Sequence, residues 1–201
     1  MSILTRRQML MASAAGLGLA ASSRVGAGSK LQKLPETLLS RARKALHAHA
    51  GRIEHRDRVA IADFSRPSSE PRLFLIDLVT GETTAHLVAH GRGSDPSHTG
   101  WVENFSNAPG SYGSSAGAYV TASEYVGKHG RSMRLIGLDL VNSNAEDRAI
   151  VIHAASYVTE TLARDTGKIG RSEGCFAVTS DDLDAVLQRL GPGRLLYADK
   201  I

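Results

Sequence analysis

Apolar positions along this chain fall mostly in short β-type runs, and only near its two ends at helical spacing. Leu38, Leu39, Ala42, Leu46 and Ala50 form a stripe that predicts a helix over Glu36–Ala50, stopped by Gly51. Val59–Phe64 and Arg72–Val79 read as strands joined by the proline-containing loop Ser65–Pro71. Thr80-Gly81-Glu82 is a tight turn, and Thr83–Ala89 is the partner strand of a hairpin. Gly117–Ser123 and Met133–Leu140 are strands around a turn at Lys128-His129-Gly130. Asn142–Asp147 is a polar loop. The β-branched run Ala149–Ile152 is a buried strand with His153 at its C-terminal end. Ser156–Arg164 is a short helix or a loop. Thr179–Asp182 opens a helix through Leu190, with a hydroxyl cap, acids in the first turn and Gly191-Pro192 as the stop. Leu195–Ala198 is a last strand. The pattern predicts a mainly β fold, a β-sandwich or open barrel with two peripheral helices, and no βαβ repeat.

Between the strands runs Gly91–Gly117, long and rich in Gly and Ser. A loop of this length in a compact domain is usually functional or disordered. It contains Trp101, Phe105 and Tyr112, with Tyr119 close behind, which is not a disordered composition. Two readings fit: one wall of a ligand cleft, or a surface Ω-loop packed by its own aromatics.

Length and composition suit one domain with a full core, since the chain has 201 residues and is 42% hydrophobic. The N-terminus reads separately. Arg6-Arg7 precedes Met9–Ala21, a weakly apolar stretch of small residues, in the pattern of a twin-arginine secretion signal. The stretch is too short and too rich in Ala and Gly to span a bilayer well. The expected organisation is a signal over 1–28, a linker (Ser29–Pro35) and N-terminal helix over 29–58, and a catalytic-type domain over 59–201. Removing 1–28 takes away three arginines and no acid, so the net charge falls from +4 to +1. The basic balance therefore belongs largely to the address, and no nucleic-acid partner is expected.

Chemistry gathers between Arg148 and Val178. Cys175 is the only cysteine, so it forms no internal disulfide; it is either a spectator or a reactive thiol. Its setting, Ser172-Glu173-Gly174-Cys175, is polar and turn-forming rather than core-like. A thiol and an imidazole on two backbone elements are the parts of a nucleophilic catalyst, with Cys175 as nucleophile and His153 as base. The backbone N–H groups of Gly174 and Cys175 are candidates for an oxyanion hole. Arg171 and Ser172 adjoin the thiol as groups to position it or to bind a donor carboxylate, with Arg171 equally readable as a solvated loop residue, and Arg134 is placed to meet a substrate carboxylate or solvent. His86 and His90 share a strand face and His98 follows, but no cysteines or clustered acids stand at ligand spacing. They read as polar face and loop residues, and no metal or organic cofactor is expected. His47 and His49 point to different helix faces and make a poor chelate.

The spacing from His153 to Ser172-X-Gly174-Cys175 resembles the signature of the L,D-transpeptidase catalytic domain (YkuD type), in particular the subgroup of murein L,D-transpeptidase catalytic domain proteins. The resemblance also takes in Asp63–Arg72, Ala89–Ser94, Gly110–Tyr112 through Tyr119, and Gly127–Gly130, so it covers roughly Val59 to Ala198. This chain has Glu173 where the wider family mostly has His, and Ala154-Ala155 where it often has Gly-Thr or Gly-Ser. The resemblance implies a β-sandwich or open barrel and a thiol acyltransferase that cross-links peptidoglycan. Its partners would be stem peptides, with Tyr112, Tyr119, Arg134, Arg171 and Ser172 as candidate substrate contacts. A monomer without a stable membrane span is expected, exported to the periplasm and associated with the cell wall. Water in place of the amine acceptor would make it a carboxypeptidase, and loss of catalysis would leave a wall-binding protein.

Overall fold

The structure, a computed structural model, describes residues 34–201. The secretion signal assigned to 1–28 and most of the linker lie outside the described residues. Eight strands form one mixed sheet: β1 (Arg58–Asp63), β2 (Leu73–Asp77), β3 (Thr83–His86), β4 (Gly117–Gly127), β5 (Gly130–Gly137), β6 (Val151–Ala154), β7 (Phe176–Val178) and β8 (Leu195–Asp199). Their order is β3-β2-β1-β8-β4-β5-β6-β7, antiparallel except for the pairs β1–β8 and β6–β7. The described residues also form three helices, α1 (Glu36–Ala48) before β1, α2 (Glu160–Thr166) between β6 and β7, and α3 (Leu183–Leu190) between β7 and β8. No helix among the described residues is long and apolar enough to cross a membrane.

The two ends of the sheet meet. Past His86 the chain leaves β2 and reaches β7, where the Ala89 N–H donates to the Ala177 carbonyl at 2.8 Å. The Ser172 N–H donates to the His90 carbonyl, and the Arg92 N–H to the Ser172 carbonyl. The sheet therefore curls into an open barrel, one of the two forms that the mainly β pattern suggested. This also explains why β3 stops at His86 rather than Ala89: the last residues of the expected strand pair with a different neighbour.

Alternation sets the layers. On β1, Ala60 and Ala62 face the main core with Phe64, Tyr119, Ile152, Phe176 and the apolar side of α3. Val59 and Ile61 face the other way and pack under Leu38 and Ala42 of α1. A strand buried on both faces reads as one continuous apolar run, which is how β1 appears in the sequence.

Other elements depart modestly from expectation. β4 and β5 are longer than their apolar cores and project as a hairpin, with a register shift between Thr121 and Glu124. α2 forms where a short helix or loop was expected; the Thr159 side chain accepts from the Leu162 N–H, and Gly167 ends it at φ 70°. α3 begins only at Leu183, because Thr179 Oγ1 accepts the Asp182 N–H one turn earlier. Leu140–Asn142 turns as a 3-10 helix, with Asp139 and Asn142 exchanging side-chain and backbone bonds.

His90 is not a polar-face residue. It is fully buried between two buried charges. Arg72 donates to its Nδ1 at 2.7 Å, and its Nε2 meets Asp95 Oδ2 at 3.2 Å. Since a guanidinium only donates, Nδ1 carries the lone pair and Nε2 the proton. Burial, then the adjacent Arg72 charge, push the His90 pKa down to about 3. Burial works against the Asp95 charge, but hydrogen bonds from Thr99 and Gly100 hold its carboxyl below the ordinary value. An ordinary histidine titrates near 6.5, so between that pH and about 3 the unfolded chain binds a proton that the folded chain refuses. Stability from this residue is complete above about pH 6.5 and falls on acidification, by at most about 1.4 kcal/mol per pH unit. Urea unfolding across pH 7 to 4 is expected to show that loss. His90→Ala removes the partner shared by buried Arg72 and Asp95, and is expected to cost about 3 kcal/mol at neutral pH.

Candidate active site

Cys175 and His153 come together through strand register. Ile152 pairs with Phe176, and His153 with Ala177. Extended back by one residue, the same register sets Cys175 beside Val151. Because side chains alternate with a period of two, His153 and Cys175 fall on the same sheet face, on neighbouring strands. That face is opposite the one that carries Ile152 and Phe176 into the core. Both residues line a cleft of about 260 Å³.

The backbone at the thiol is tightly constrained. Gly174 has φ +115°, and a Cβ there would lie 2.7 Å from Ile150 Cδ1 and 2.8 Å from the Gly113 carbonyl oxygen. Gly91 packs against it from the other side, where a Cβ would come within 2.8 Å of the Gly174 nitrogen. Only glycine fits either place. Ser172 closes the turn: its hydroxyl donates to the Cys175 carbonyl at 2.7 Å and accepts the Gly174 N–H at 3.2 Å. Ser172 shapes the turn through its own backbone bonds, in line with the positioning role rather than the carboxylate-binding one, and the Gly174 N–H is already engaged rather than free for an oxyanion. Ala149, in the cleft wall, has φ 52°, a conformation that non-glycine residues seldom adopt. Its carbonyl accepts the Cys175 thiol at 3.5 Å.

The two reactive groups are neutral at rest. Burial pushes the Cys175 thiol pKa up; the Val151 backbone N–H and the Lys128 and Arg148 charges offset part of this, while Glu173 adds to it. Burial lowers the His153 pKa, helped by nearby His129 and Lys128. His153 Nδ1 lies 2.8 Å from the Ala154 carbonyl. A carbonyl only accepts, so Nδ1 carries the proton and Nε2 the lone pair. His129, from the tip of the β4–β5 hairpin, stacks on the His153 ring at 4.3 Å between centroids and 22° between planes. The tautomer and the ring orientation are therefore both fixed.

The remaining candidates are distributed unevenly. Arg171 lines the cleft, but its guanidinium is tied to the Asp95 and Pro96 carbonyls. Arg134 does not line it; this exposed side chain lies over the Tyr125 ring at 4.3 Å, and Tyr125 makes the wall. Tyr119 is fully buried, with its hydroxyl on the Ser115 carbonyl, so it is a core residue and not a substrate contact. Tyr112 underlies the Arg92 guanidinium. The Gly91–Gly117 loop thus reaches the cleft only at its rim, where Arg92 meets Glu173; its inner part buttresses Arg148, which donates to the Ser106 and Gly113 carbonyls and to Ser115 Oγ. Arg148, Tyr157, Lys128 and His129 line the cleft and were not singled out from sequence. His129 carried a signal, since it lies in a turn that is part of the family resemblance. Arg148 carried none, because a lone arginine ahead of a strand reads as solvated.

Residues 30–198 match the family model for the L,D-transpeptidase catalytic domain. A comparison with curated protein sequences found no match. Among solved structures, the chain is similar to an L,D-transpeptidase from Mycobacterium smegmatis, at 9% identity and TM-score 0.43 over 71% of this chain and 58% of that one. It is similar to L,D-transpeptidase 3 from Mycobacterium tuberculosis in complex with a faropenem-derived adduct, at 12% identity and TM-score 0.44 over 71% and 60%. It is also similar to the L,D-transpeptidase from Xylanimonas cellulosilytica, at 13% identity and TM-score 0.42 over 83% and 70%. It spans less than two thirds of either mycobacterial chain. The family model covers nearly the whole of the described chain, and on that ground this protein belongs to the L,D-transpeptidase catalytic domain family.

Proposed function

We propose that the protein is a peptidoglycan L,D-transpeptidase that works through Cys175. The observation that carries this reading is the shared cleft, in which an imidazole with its lone pair on Nε2 lines the same wall as the sole thiol. Cys175 attacks the carbonyl of the L-centre of meso-diaminopimelate in a tetrapeptide stem. The C–S bond forms as the C–N bond breaks, and the thiol proton passes through His153 Nε2 to the departing D-alanine amine. An amine from a second stem then attacks the thioester and restores the thiol. The resting thiol is neutral, so its proton must be removed as attack begins, and this gives His153 its role as base and later acid. The Cys175 N–H is the oxyanion donor retained in this reading, because the Gly174 N–H is bonded to Ser172. The product is a cross-link if an amine reaches the thioester, and a trimmed stem if water does. Action on stem peptides in the cell wall, after twin-arginine export, completes the proposal.

Three measurements test it. Intact mass after exposure to a carbapenem is expected to show one stoichiometric adduct, absent in Cys175→Ala; no adduct on the unmodified protein would reduce it to a wall-binding module. Muropeptide analysis after incubation with tetrapeptide stems is expected to show 3→3 dimers; tripeptides alone would mean hydrolysis. The acylation rate is expected to hold through neutral pH and to decline only below about 6.5, because the depressed His153 pKa keeps the base neutral into mild acid. His153→Gln should slow acylation by about 10²–10⁴-fold.

A further inference from the structure

Beside the cleft is a pair of charges that takes no part in the bond-making steps of acylation. Glu173 is the only acidic residue in the cleft lining, and it lies two residues before the thiol. Its Oε1 accepts from Arg92 Nη2 at 3.0 Å, at the rim. Both side chains are open to water, 58% and 49% exposed. An exposed pair of this kind contributes little to stability, so separating it costs little. Yet Arg92 is held in place. Its guanidinium lies 4.0 Å over the Tyr112 ring, and Tyr112 sits on strained backbone at φ 53°. The loops meet so closely there that a Cβ on Gly93 would fall 1.9 Å from the Ser111 carbonyl oxygen. A rigid guanidinium and a carboxylate set side by side at a cleft mouth match a ligand that carries an ammonium and a carboxylate on one carbon.

We infer that the Arg92–Glu173 pair is a subsite for a zwitterionic amino-acid head group, the free D-centre of the meso-diaminopimelate side chain on the donor stem. This rests on the function proposed above, which puts the L-centre of that residue at Cys175. On binding, the ion pair opens; Arg92 takes the ligand carboxylate and Glu173 takes the ammonium. Two charge-assisted contacts replace one, and no charge is left unpaired. The guanidinium fork suits a carboxylate better than an ammonium group from lysine would. The subsite therefore selects a side chain that ends in both charges over one that ends in an amine alone.

Binding in a Cys175→Ala background separates recognition from chemistry. Three tetrapeptide stems are compared by calorimetry: one with meso-diaminopimelate, one with its D-centre carboxamide, and one with L-lysine. The first is expected to bind at least tenfold more tightly than the other two. Arg92→Gln is expected to abolish that preference, Arg92→Lys to keep part of it, and Glu173→Gln to weaken all three ligands. Equal affinity for the three stems, or a preference that survives Arg92→Gln, overturns the assignment. The ligand series on the unmutated rim decides the matter even if a variant folds poorly. The carbapenem adduct on the wild-type protein reports the thiol independently, so failure of the subsite and failure of the proposed activity give different results.

Discussion

One buried polar line, Arg72 to His90 to Asp95, holds the reactive region together. Each member anchors a different piece of backbone. Arg72 donates to the Val88 and Arg66 carbonyls. The His90 carbonyl receives the Ser172 N–H, and Asp95 collects the N–H groups of Thr99 and Gly100 while its own carbonyl receives Arg171. The strand ends, the loop after them and the turn that carries the thiol are thereby fixed to one another. Three buried polar side chains would be costly if any were unpaired. Here every one is partnered, which makes the arrangement rigid as well as tolerable.

That rigidity has an electrostatic counterpart in the cleft. Lys128 and Arg148 favour the thiolate, while burial and Glu173 oppose it, and the balance leaves a protonated sulfur. Burial, with nearby His129 and Lys128, keeps His153 neutral at the same time. A neutral acid beside a neutral base is a quiet resting state. It limits adventitious oxidation of the thiol, since the thiolate is the vulnerable form.

Much of this was legible in the residues. The strands with strong apolar runs, the α1 stripe and the turn glycines follow from local rules, and the thiol and imidazole stood out because one cysteine is easy to find. What escaped was non-local. Phe176–Val178 is three residues long, too short for periodicity to register, and becomes a strand only by pairing with β6. Tyr119 belongs to the expected Gly117–Ser123 strand but looked like a substrate contact because it follows a loop rich in aromatics, yet strand alternation turns it into the core beside Phe176. His90 looked like a face residue because nothing in its own segment announces Arg72 or Asp95. Ser172 and Gly174 were noticed for their neighbour, but whether an N–H is free or engaged depends on side-chain rotamers that spacing does not encode.

The order of strands carries a consequence for biogenesis. β8 lies between β1 and β4, so the last of the eight strands to be synthesised is the seam that joins the β1–β3 hairpins to the β4–β7 half. Neither half can bury its inner face before that seam is inserted, because Leu196 and Ala198 complete the core from the middle. Assembly must therefore wait on contacts between residues more than a hundred positions apart, which makes it slow relative to a domain built from local pairings. Such a fold matures as a whole once β8 is available rather than piecewise along the way.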